Sequence, residues 1–279
     1  MIQNIASAPA DTARGARVLV LANQKGGVGK TTTAINLGTA LAAIGENVLI
    51  IDLDPQGNAS TGLGIERSKR TPSTYDVLVG NCRLDEVQRA TAIPRLKVAP
   101  ATLDLLGVEL ELAAHSDRVL KLRSALQKYI RTEPKEGSAS YILVDCPPSL
   151  NLLTINALAA ANAILVPLQC EFFALEGLSQ LLKTVEQVKR TINDQLSIHG
   201  VLMTMFDPRN SLSSQVVADV RSFMGDKVYD TIIPRNVRVS EAPSYGKPVL
   251  LYDLKCSGSQ AYLKLASEVI SRERRSQAA

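Results

Sequence analysis

Residues 23 to 33 read Asn23-Gln24-Lys25-Gly26-Gly27-Val28-Gly29-Lys30-Thr31-Thr32-Thr33. An apolar run, Arg17–Ala22, precedes this stretch, and a segment with helical periodicity, Thr31–Ile44, follows it. Glycines at such a junction let backbone N–H groups turn inward and approach phosphate oxygens without a Cβ clash. The stretch therefore predicts a phosphate-binding loop between the first strand and the first helix of an α/β fold.

This loop departs from two common patterns. Gln24 stands where GxxxxGK[ST] has its first glycine, and Thr32 stands where the dinucleotide pattern GxGxxG has its third. The last part of the first pattern is intact at Gly29, Lys30 and Thr31. Lys30 can reach the β- and γ-phosphates, and the Thr31 hydroxyl can ligate Mg²⁺. We therefore predict a site for a nucleoside triphosphate with Mg²⁺.

Apolar runs and helical segments alternate along most of the chain. Runs of nearly continuous Val, Ile and Leu are typical of parallel strands that are covered on both faces. We predict an α/β fold with a doubly wound, mostly parallel sheet and helices on both faces. The predicted strands are Arg17–Ala22, Asn47–Leu53, Leu96–Ala99, Tyr141–Asp145, Ala163–Leu168, Ile198–Met205 and Val228–Ile233; the predicted helices are Thr31–Ile44, Asp117–Arg131, Asn151–Ala161, Ala174–Ile192, Ser211–Met224 and Gly258–Arg274.

Length and composition limit the domain organisation and the function class. The chain has 279 residues, of which 46% are hydrophobic and 21% charged, as in an ordinary globular protein. We expect a flexible leader, residues 1–16, and a single domain, residues 17–279. The least regular region, Glu66–Ala101, is interpreted as an insertion that packs on the same core. The longest apolar stretch, Ala157–Leu168, is too short to span a bilayer, so we expect a cytoplasmic protein.

Two aspartates follow predicted strands, and Asp54 comes first, after Asn47–Leu53. Asp145 ends the strand Tyr141–Asp145. Open α/β sheets bind their ligands at the carboxyl ends of the strands, so both carboxylates are predicted to reach the phosphate site. There Asp54 can orient or deprotonate a water, and Asp145 can hold Mg²⁺, through a water. The residues alone also allow a turn-forming aspartate before Pro55 and a strand-ending aspartate without a ligand.

Lys25 is a second lysine in the loop, five positions before Lys30. It cannot easily reach the phosphate that its own loop binds. It could extend toward a nucleotide held by a facing subunit, as arginine fingers do. An ordinary solvated lysine fits the sequence equally well, and the residues leave both interpretations open.

Taken together, the motifs resemble the ParA/Soj chromosome- and plasmid-partition ATPases, which are P-loop NTPases of the deviant Walker-A (MinD/ParA) class. The resemblance covers about 260 residues, from Arg17 to the end. It rests on residues 23–33, on Asp52-Leu53-Asp54-Pro55-Gln56-Gly57-Asn58, on Asp145-Cys146-Pro147-Pro148-Ser149-Leu150, on EFFALEGL at 171–178 and on Ile233-Pro234-Arg235-Asn236-Val237-Arg238.

The resemblance implies slow, partner-stimulated hydrolysis of ATP to ADP and phosphate, with Mg²⁺ as a second cofactor. It implies a homodimer that sandwiches ATP, with Lys25 on the partner's phosphates, Lys30 on its own and Asp54 activating water. Thr31 and Asp145 would hold Mg²⁺, and Pro234 and Asn236 would bracket the adenine. The implied nucleotide-binding residues are Lys25, Gly26, Gly27, Val28, Gly29, Lys30, Thr31, Thr32, Pro234 and Asn236.

The resemblance also implies two macromolecular partners. The ATP-bound dimer would bind non-specific double-stranded DNA on the nucleoid, and a ParB-type centromere-binding protein would trigger hydrolysis and release. Arg209 and Arg238 match residues on the DNA-facing side, although the residues alone favour plain surface charges, since exposed arginines are common. The net charge is only +4, so DNA binding needs a local patch, which a dimer would double.

Two alternatives belong to the same fold class. Iron–sulfur carriers and nitrogenase-type reductases need cluster-ligating thiolates at an interface, but Cys146 is the one cysteine that lies in a motif. A MinD-like membrane-surface switch needs a terminal amphipathic helix. The last predicted helix, Gly258–Arg274, is predicted to pack on the sheet instead, so no stable membrane association is expected.

Overall fold

The computed structural model describes residues 15–131 and 138–278, with side chains described as far as residue 275. Seven strands within these residues form one sheet in the order β3-β4-β2-β5-β1-β6-β7. The short β3 runs antiparallel to β4, and every other neighbouring pair is parallel. The strands are β1 Arg17–Leu21, β2 Val48–Asp52, β3 Arg89–Ala90, β4 Leu96–Ala99, β5 Tyr141–Asp145, β6 Ala163–Gln169 and β7 Ser197–Thr204.

Helices connect the strands, and each of the six predicted helices is present. The α-helices are α1 Lys30–Ala43, α2 Asn58–Gly62, α3 Thr74–Val79, α4 Val108–Glu111, α5 Lys121–Arg131, α6 Leu152–Ala160, α7 Ala174–Thr191, α8 Ser211–Met224, α9 Val237–Glu241, α10 Val249–Tyr252 and α11 Ser257–Ala278. Short 3-10 helices lie at Arg67–Lys69, Leu103–Gly107, Arg118–Leu120, Gly225–Lys227 and Ala242–Tyr245.

A hydrophobic core covers each face of the sheet. Alternate residues of β1 point to opposite faces, so Val18 and Val20 join one core and Leu19 and Leu21 join the other. Residues from α5, α6, α7 and α8 complete the first core, and residues from α1, α10 and α11 complete the second. The predicted doubly wound sheet with helices on both faces is therefore confirmed.

The predicted strand Val228–Ile233 is wrong. Isolated bridges join Val228 to Val201 of β7 and join Pro234, just after this stretch, to Phe206, two residues beyond the end of β7. Between them, the backbone N–H groups of Asp230 and Thr231 donate to the Glu268 carboxylate of α11, each at 2.9 Å. A side chain from the covering helix thus takes the hydrogen bonds that a sheet neighbour would have made.

The irregular region contributes β3 and β4 to one edge of the sheet, as an insertion on the same core should. β3 has two residues, which is too few for a sequence pattern to show. Apart from Gly15 and Ala16, the expected leader lies outside the described residues. The organisation of residues 17–279 as a single domain stays a prediction.

A buried polar cluster ties α11 to the amino ends of the strands. Glu273 accepts hydrogen bonds from Arg17 Nε at 2.9 Å and from His199 Nε2 at 2.8 Å. Burial alone would raise the pKa of Glu273, but the hydrogen bond from His199 and the charge of Arg17 outweigh it and lower the pKa. The other ring nitrogen of His199 contacts the Tyr229 hydroxyl.

We expect Glu273→Gln to lower the free energy of unfolding at pH 7 by about 1–3 kcal/mol, since Arg17 and His199 lose a charged acceptor. A carboxylate with a lowered folded-state pKa stabilises the fold above its ordinary pKa, and that stabilisation disappears as the pH falls through the folded value. The difference between the two proteins should therefore shrink only as the pH falls below about 4. Urea denaturation at pH 7, at about pH 5 and at about pH 3.5 measures it, with the exposed Glu186→Gln as the control. A difference that does not change with pH would contradict this account.

Candidate functional site

The loops after β1, β2 and β5 meet at the carboxyl edge of the sheet. The register places Asp145 beside Leu21 on one side and Asp52 on the other, so the three strands end level. A cavity of about 530 Å³ opens there. Its lining residues are Gly26, Gly27, Gly29, Lys30, Thr31, Thr32, Asp54, Pro55, Gln56, Asn58, Leu106, Pro147, Pro148, Ser149, Asn151 and Met205.

Two glycines give the loop its shape. Gly27 and Gly29 have φ values of 77° and 92°, in the left-handed region that other residues avoid. Gly29 is the N-cap of α1 and offers no side chain to cap the helix. The backbone N–H groups of the first turn therefore stay free to bind an anion.

Two long-range hydrogen bonds and one local hydrogen bond hold the loop in place. Asn23 Nδ2 donates to the carbonyl oxygen of Pro167 at 2.8 Å, and its Oδ1 accepts from the N–H of Lys25 at 3.0 Å. The Thr204 hydroxyl donates to the carbonyl oxygen of Val28 at 2.9 Å. Sequence reasoning missed Asn23 and Thr204 as supports, because nothing in the sequence indicates which distant carbonyl a side chain will contact.

Lys30 lies at the base of the cavity. Its side chain is buried, and Nζ donates to the carbonyl oxygen of Lys25 at 2.9 Å. Burial lowers the pKa of Lys30, and the negative charges of Asp145 and Asp54 oppose that shift. A desolvated ammonium held by a single carbonyl can transfer to a phosphate oxygen at little cost.

Asp145 lies next to Lys30 and has 0% exposure. Neither of its side-chain oxygens has a hydrogen-bond partner within the described residues. Burial and the nearby charge of Asp52 raise its pKa well above the ordinary value, and the Thr31 side chain opposes this. An unpartnered buried carboxylate that faces a threonine fits a Mg²⁺ site, because Mg²⁺ uses one or two protein oxygens together with phosphate oxygens and waters.

Asp54 lines the cavity, as predicted, whereas Asp145 is buried outside its lining. It is 8% exposed, and its Oδ1 accepts from the N–H of Gln56 at 3.0 Å. Behind it, Asp52 is fully buried and accepts from the N–H and hydroxyl of Ser60 at 2.9 and 2.7 Å. Burial raises the pKa of Asp52 to about 6, against the hydrogen bonds from Ser60. The structure therefore places in the cavity the Asp54 carboxylate that was predicted to orient water, with the Asp52 carboxylate buried behind it.

Lys25 points away from the cavity of its own chain. It does not line that cavity, and its ammonium pairs with the carboxylate of Glu171. Two exposed phenylalanines, Phe172 and Phe173, follow Glu171 and contact each other edge to face. Glu171 opens the motif at 171–178, but the sequence alone did not indicate its pairing with Lys25.

The structure places Pro234 and Asn236 outside the cavity lining. Pro234 bridges to Phe206, the neighbour of Met205, which does line the cavity. Asn236 caps α9 through the N–H of Arg238 at 2.8 Å and donates to Ser257 Oγ at 2.9 Å. Neither residue lines the cavity, and the adenine-binding role of both stays a prediction.

Met205 is a cavity residue that sequence reasoning missed. Its alternation with Met203 indicates a core position, but its backbone has φ 53°, in the left-handed region. Met203 is fully buried, whereas Met205 is half-buried and lines the cavity. A backbone conformation that no sequence pattern signals therefore turns the end of β7 toward the site.

Arg209 lies in the exposed loop before α8 and Arg238 lies in α9, and both are ion-paired. Arg209 donates to both carboxylate oxygens of Asp207, at 2.9 and 2.8 Å, which lowers the pKa of Asp207 to about 2. Arg238 pairs with Glu241 at 3.0 Å. The side chain of Arg209 is nevertheless 86% exposed and that of Arg238 49%.

Comparison with known proteins identifies the family. A family model described as an AAA domain matches residues 16–198. The chromosome-partitioning protein ParA of Caulobacter vibrioides is 64% identical over 262 residues, which cover 94% of this chain and 97% of that protein. The chain belongs to the ParA/Soj family of chromosome-partitioning ATPases. The sporulation initiation inhibitor protein Soj of Bacillus subtilis is 51% identical, over 91% of this chain and 98% of Soj.

A solved structure agrees with the architecture of this ParA/Soj chain. Cobyrinic acid a,c-diamide synthase from Mycobacterium smegmatis, with a bound ATP analogue and magnesium, superposes with a TM-score of 0.81 at 35% identity. The superposition covers 92% of this chain and 95% of that one. Among the residues that the structure describes, no helix is long and apolar enough to cross a membrane.

Proposed function

We propose that the chain is a partition ATPase whose ATP-bound homodimer binds non-specific double-stranded DNA and dissociates from it after ParB-stimulated hydrolysis to ADP. The observation that carries the proposal is the convergence of three features at one site: the uncapped amino end of α1 and the desolvated Lys30, which line the cavity, and the unpartnered Asp145, which is buried beside Lys30 and Thr31. Each of these features is incomplete without a polyphosphate and its cation.

Different groups of the site would bind the phosphates, Mg²⁺ and the attacking water. The N–H groups of the loop and of the first turn of α1, together with Lys30, would hold the phosphates, and Thr31 and Thr32 line the same wall. Thr31 and Asp145 would hold Mg²⁺, which neutralises phosphate charge when bound. Asp54 would orient the attacking water. No arginine lines the cavity within the described residues, which supports slow turnover in the absence of a partner.

The position of Lys25 supports the homodimer. Because its ammonium leaves the cavity of its own chain and is 49% exposed, it is available to a nucleotide on a facing copy once the pair with Glu171 opens. A site that lacks one of its cations until two chains meet would couple ATP binding to dimerisation. ATP state would then control the number of DNA-binding surfaces that act together.

The arginine pairs set the conditions for DNA binding. Asp207 and Glu241 neutralise much of the charge of Arg209 and Arg238, so one chain presents few free cations here. DNA phosphates must compete with these carboxylates, and doubling the patch in a dimer favours DNA. We therefore expect the affinity for DNA to depend strongly both on bound ATP and on the salt concentration. DNA-shift assays with ATP and with ADP at several salt concentrations test this directly.

Arg209→Glu combined with Arg238→Glu should weaken DNA binding of the ATP-bound protein by about 10-fold or more, because the loss of phosphate contacts lowers the salt-dependent part of the affinity. ATP-driven dimerisation should remain, since neither side chain lines the nucleotide cavity. Fluorescence anisotropy with labelled duplex DNA measures the first effect and light scattering the second. Arg190→Glu, which replaces another exposed and ion-paired arginine, is the matched control. Unchanged DNA affinity in the double variant would exclude this patch.

The membrane-surface alternative has less structural support. Tyr262, Leu265 and Val269 of α11 are buried in the core that contains α1, so they are not available to a bilayer. This packing agrees with the expectation from sequence. Sedimentation with liposomes in the presence of ATP distinguishes the two functions, because only a MinD-like switch would pellet with the vesicles.

A further inference from the structure

Arg70 is a buried cation that has no direct role in the proposed binding or hydrolysis of ATP. It is 4% exposed and makes four hydrogen bonds. Nε and Nη2 donate to the carbonyl oxygen of Ile65 at 3.0 and 2.8 Å, and Nη2 also donates to the Thr61 hydroxyl at 2.8 Å. Nη1 donates to the carbonyl oxygen of Gly57 at 3.2 Å. All of these acceptors are neutral. They lie before α2, within it and after it, so the guanidinium bridges the two ends of this short helix.

One of these points is directly connected to the catalytic carboxylate. Gly57 closes the turn that begins at Asp54, since its N–H donates to the Asp54 carbonyl oxygen at 2.8 Å. Within that turn, the Asp54 carboxylate accepts from Gln56. Arg70 therefore holds the far end of the same four-residue turn whose first residue lines the cavity.

Gly57 is shaped to accept this contact. Its φ is 64°, in the left-handed region, and a Cβ built on it would lie 2.3 Å from Nη1 of Arg70 and 3.2 Å from the carbonyl oxygen of Ala101. Any side chain at position 57 would push the guanidinium away. The close approach of Arg70 thus depends on glycine at this position.

A second set of hydrogen bonds holds the start of the same turn. Asp52 accepts from the N–H of Asp54 at 3.2 Å and from Ser60 of α2, and the Ser60 hydroxyl accepts from the N–H of Ala101 at 3.1 Å. Burial lowers the pKa of Arg70, and the charge of Asp52 opposes that shift. The Asp54 turn is therefore fixed at its start by Asp52 and at its end by Arg70.

We propose that Arg70 is a positioning residue for hydrolysis: by holding Gly57 it keeps the turn that carries Asp54 in the place where the carboxylate can orient water. This inference rests on the proposed role of Asp54. Arg70 touches neither the cavity nor the phosphate loop, so it acts on the chemical step through Asp54 and leaves nucleotide binding alone.

The test compares Arg70→Ala, Arg70→Gln and Arg70→Lys with Arg67→Ala, which removes an exposed arginine from the 3-10 helix that precedes Arg70. We expect kcat to fall by about 10-fold to 100-fold in all three Arg70 variants, because lysine and glutamine lack the fork that reaches Gly57, Thr61 and Ile65 together. The Kd for a fluorescent ATP analogue should stay within about threefold of wild type. Gly57→Ala should reproduce the effect.

Three controls separate a positioning role from general destabilisation. The measurements are made well below the Tm of each variant, and the milder Arg70→Gln serves if Arg70→Ala does not fold. In an Asp54→Ala background the Arg70 substitution should cause no further loss of kcat, since both act on the same step. If kcat and nucleotide affinity fall together, or if the losses add, Arg70 is merely structural and the proposal is wrong. If Asp54→Ala retains wild-type kcat, the proposed role of Asp54 fails first, independently of Arg70.

Discussion

Lys25→Ala should abolish ATP-dependent dimerisation and DNA binding while the affinity of each chain for ATP stays within about threefold of wild type. Lys25 does not line the cavity of its own chain, so its removal takes nothing from the phosphate site there. A facing copy would lose the cation that completes its site, and bringing two triphosphates together without that charge is unfavourable. Hydrogen bonds to charged groups contribute about 1.5–3 kcal/mol each and a dimer contains two copies, so we expect dimerisation to weaken by about 100-fold to 10,000-fold.

Light scattering with ATP and a non-hydrolysable analogue measures the dimer, and anisotropy measures DNA binding. Lys69→Ala is the matched control, because Lys69 is another exposed lysine that pairs with a glutamate of its own chain, Glu66. It should leave both properties unchanged. If Lys25→Ala dimerises and binds DNA like the wild type, Lys25 is an ordinary solvated lysine, and the proposed action across the dimer must be abandoned.

The second large effect concerns Asp54. Asp54→Ala should lower kcat by about 100-fold or more, within the range of ~10²–10⁴ that positioned acid–base groups contribute. ATP binding and dimerisation should persist, because the substitution leaves Lys30, Thr31 and Asp145, the proposed phosphate and Mg²⁺ ligands, in place. The variant should therefore remain in the DNA-bound state after ATP is added. The same loss is expected from Asp54→Asn, which preserves the shape of the side chain.

Single-turnover hydrolysis and the lifetime of the DNA complex measure these two outcomes. Asp104→Asn is the control, since Asp104 is an exposed aspartate near Leu106 and the mouth of the cavity but outside its lining. A kcat for Asp54→Ala equal to that of the wild type would assign water activation to another group. A variant that no longer dimerises with ATP would instead show that Asp54 supports binding.

Local sequence patterns placed part of the predicted site at one edge of the sheet. The end of an apolar strand places Asp54 and Asp145 at the carboxyl edge of any parallel sheet, and a glycine-rich junction opens the following helix toward a phosphate. The three loop glycines and Lys30 could therefore be assigned to the phosphate loop without knowledge of the tertiary structure. The sheet type followed for the same reason, because strands covered on both faces read as continuous apolar runs.

Contacts between distant parts of the chain could not be derived in this way. Lys25 meets Glu171 across 146 positions, and Asn23 meets Pro167 across 144. Glu268 takes the hydrogen bonds of Asp230 and Thr231, and so removes a strand that the local apolar pattern favoured. Partners of this kind depend on strand order and helix packing, which no single segment encodes.

The amino-acid sequence by itself determined the phosphate loop, the strand-end carboxylates and the class of sheet, because each depends on residue type and on spacing over a few turns of chain. Only the tertiary structure decided where Lys25 points, which carboxylates neutralise Arg209 and Arg238, and that Arg70 holds the turn of Asp54. These arrangements arise when packing of the two cores brings distant polar groups together, and a buried polar group must then pair with whatever donor or acceptor lies within reach.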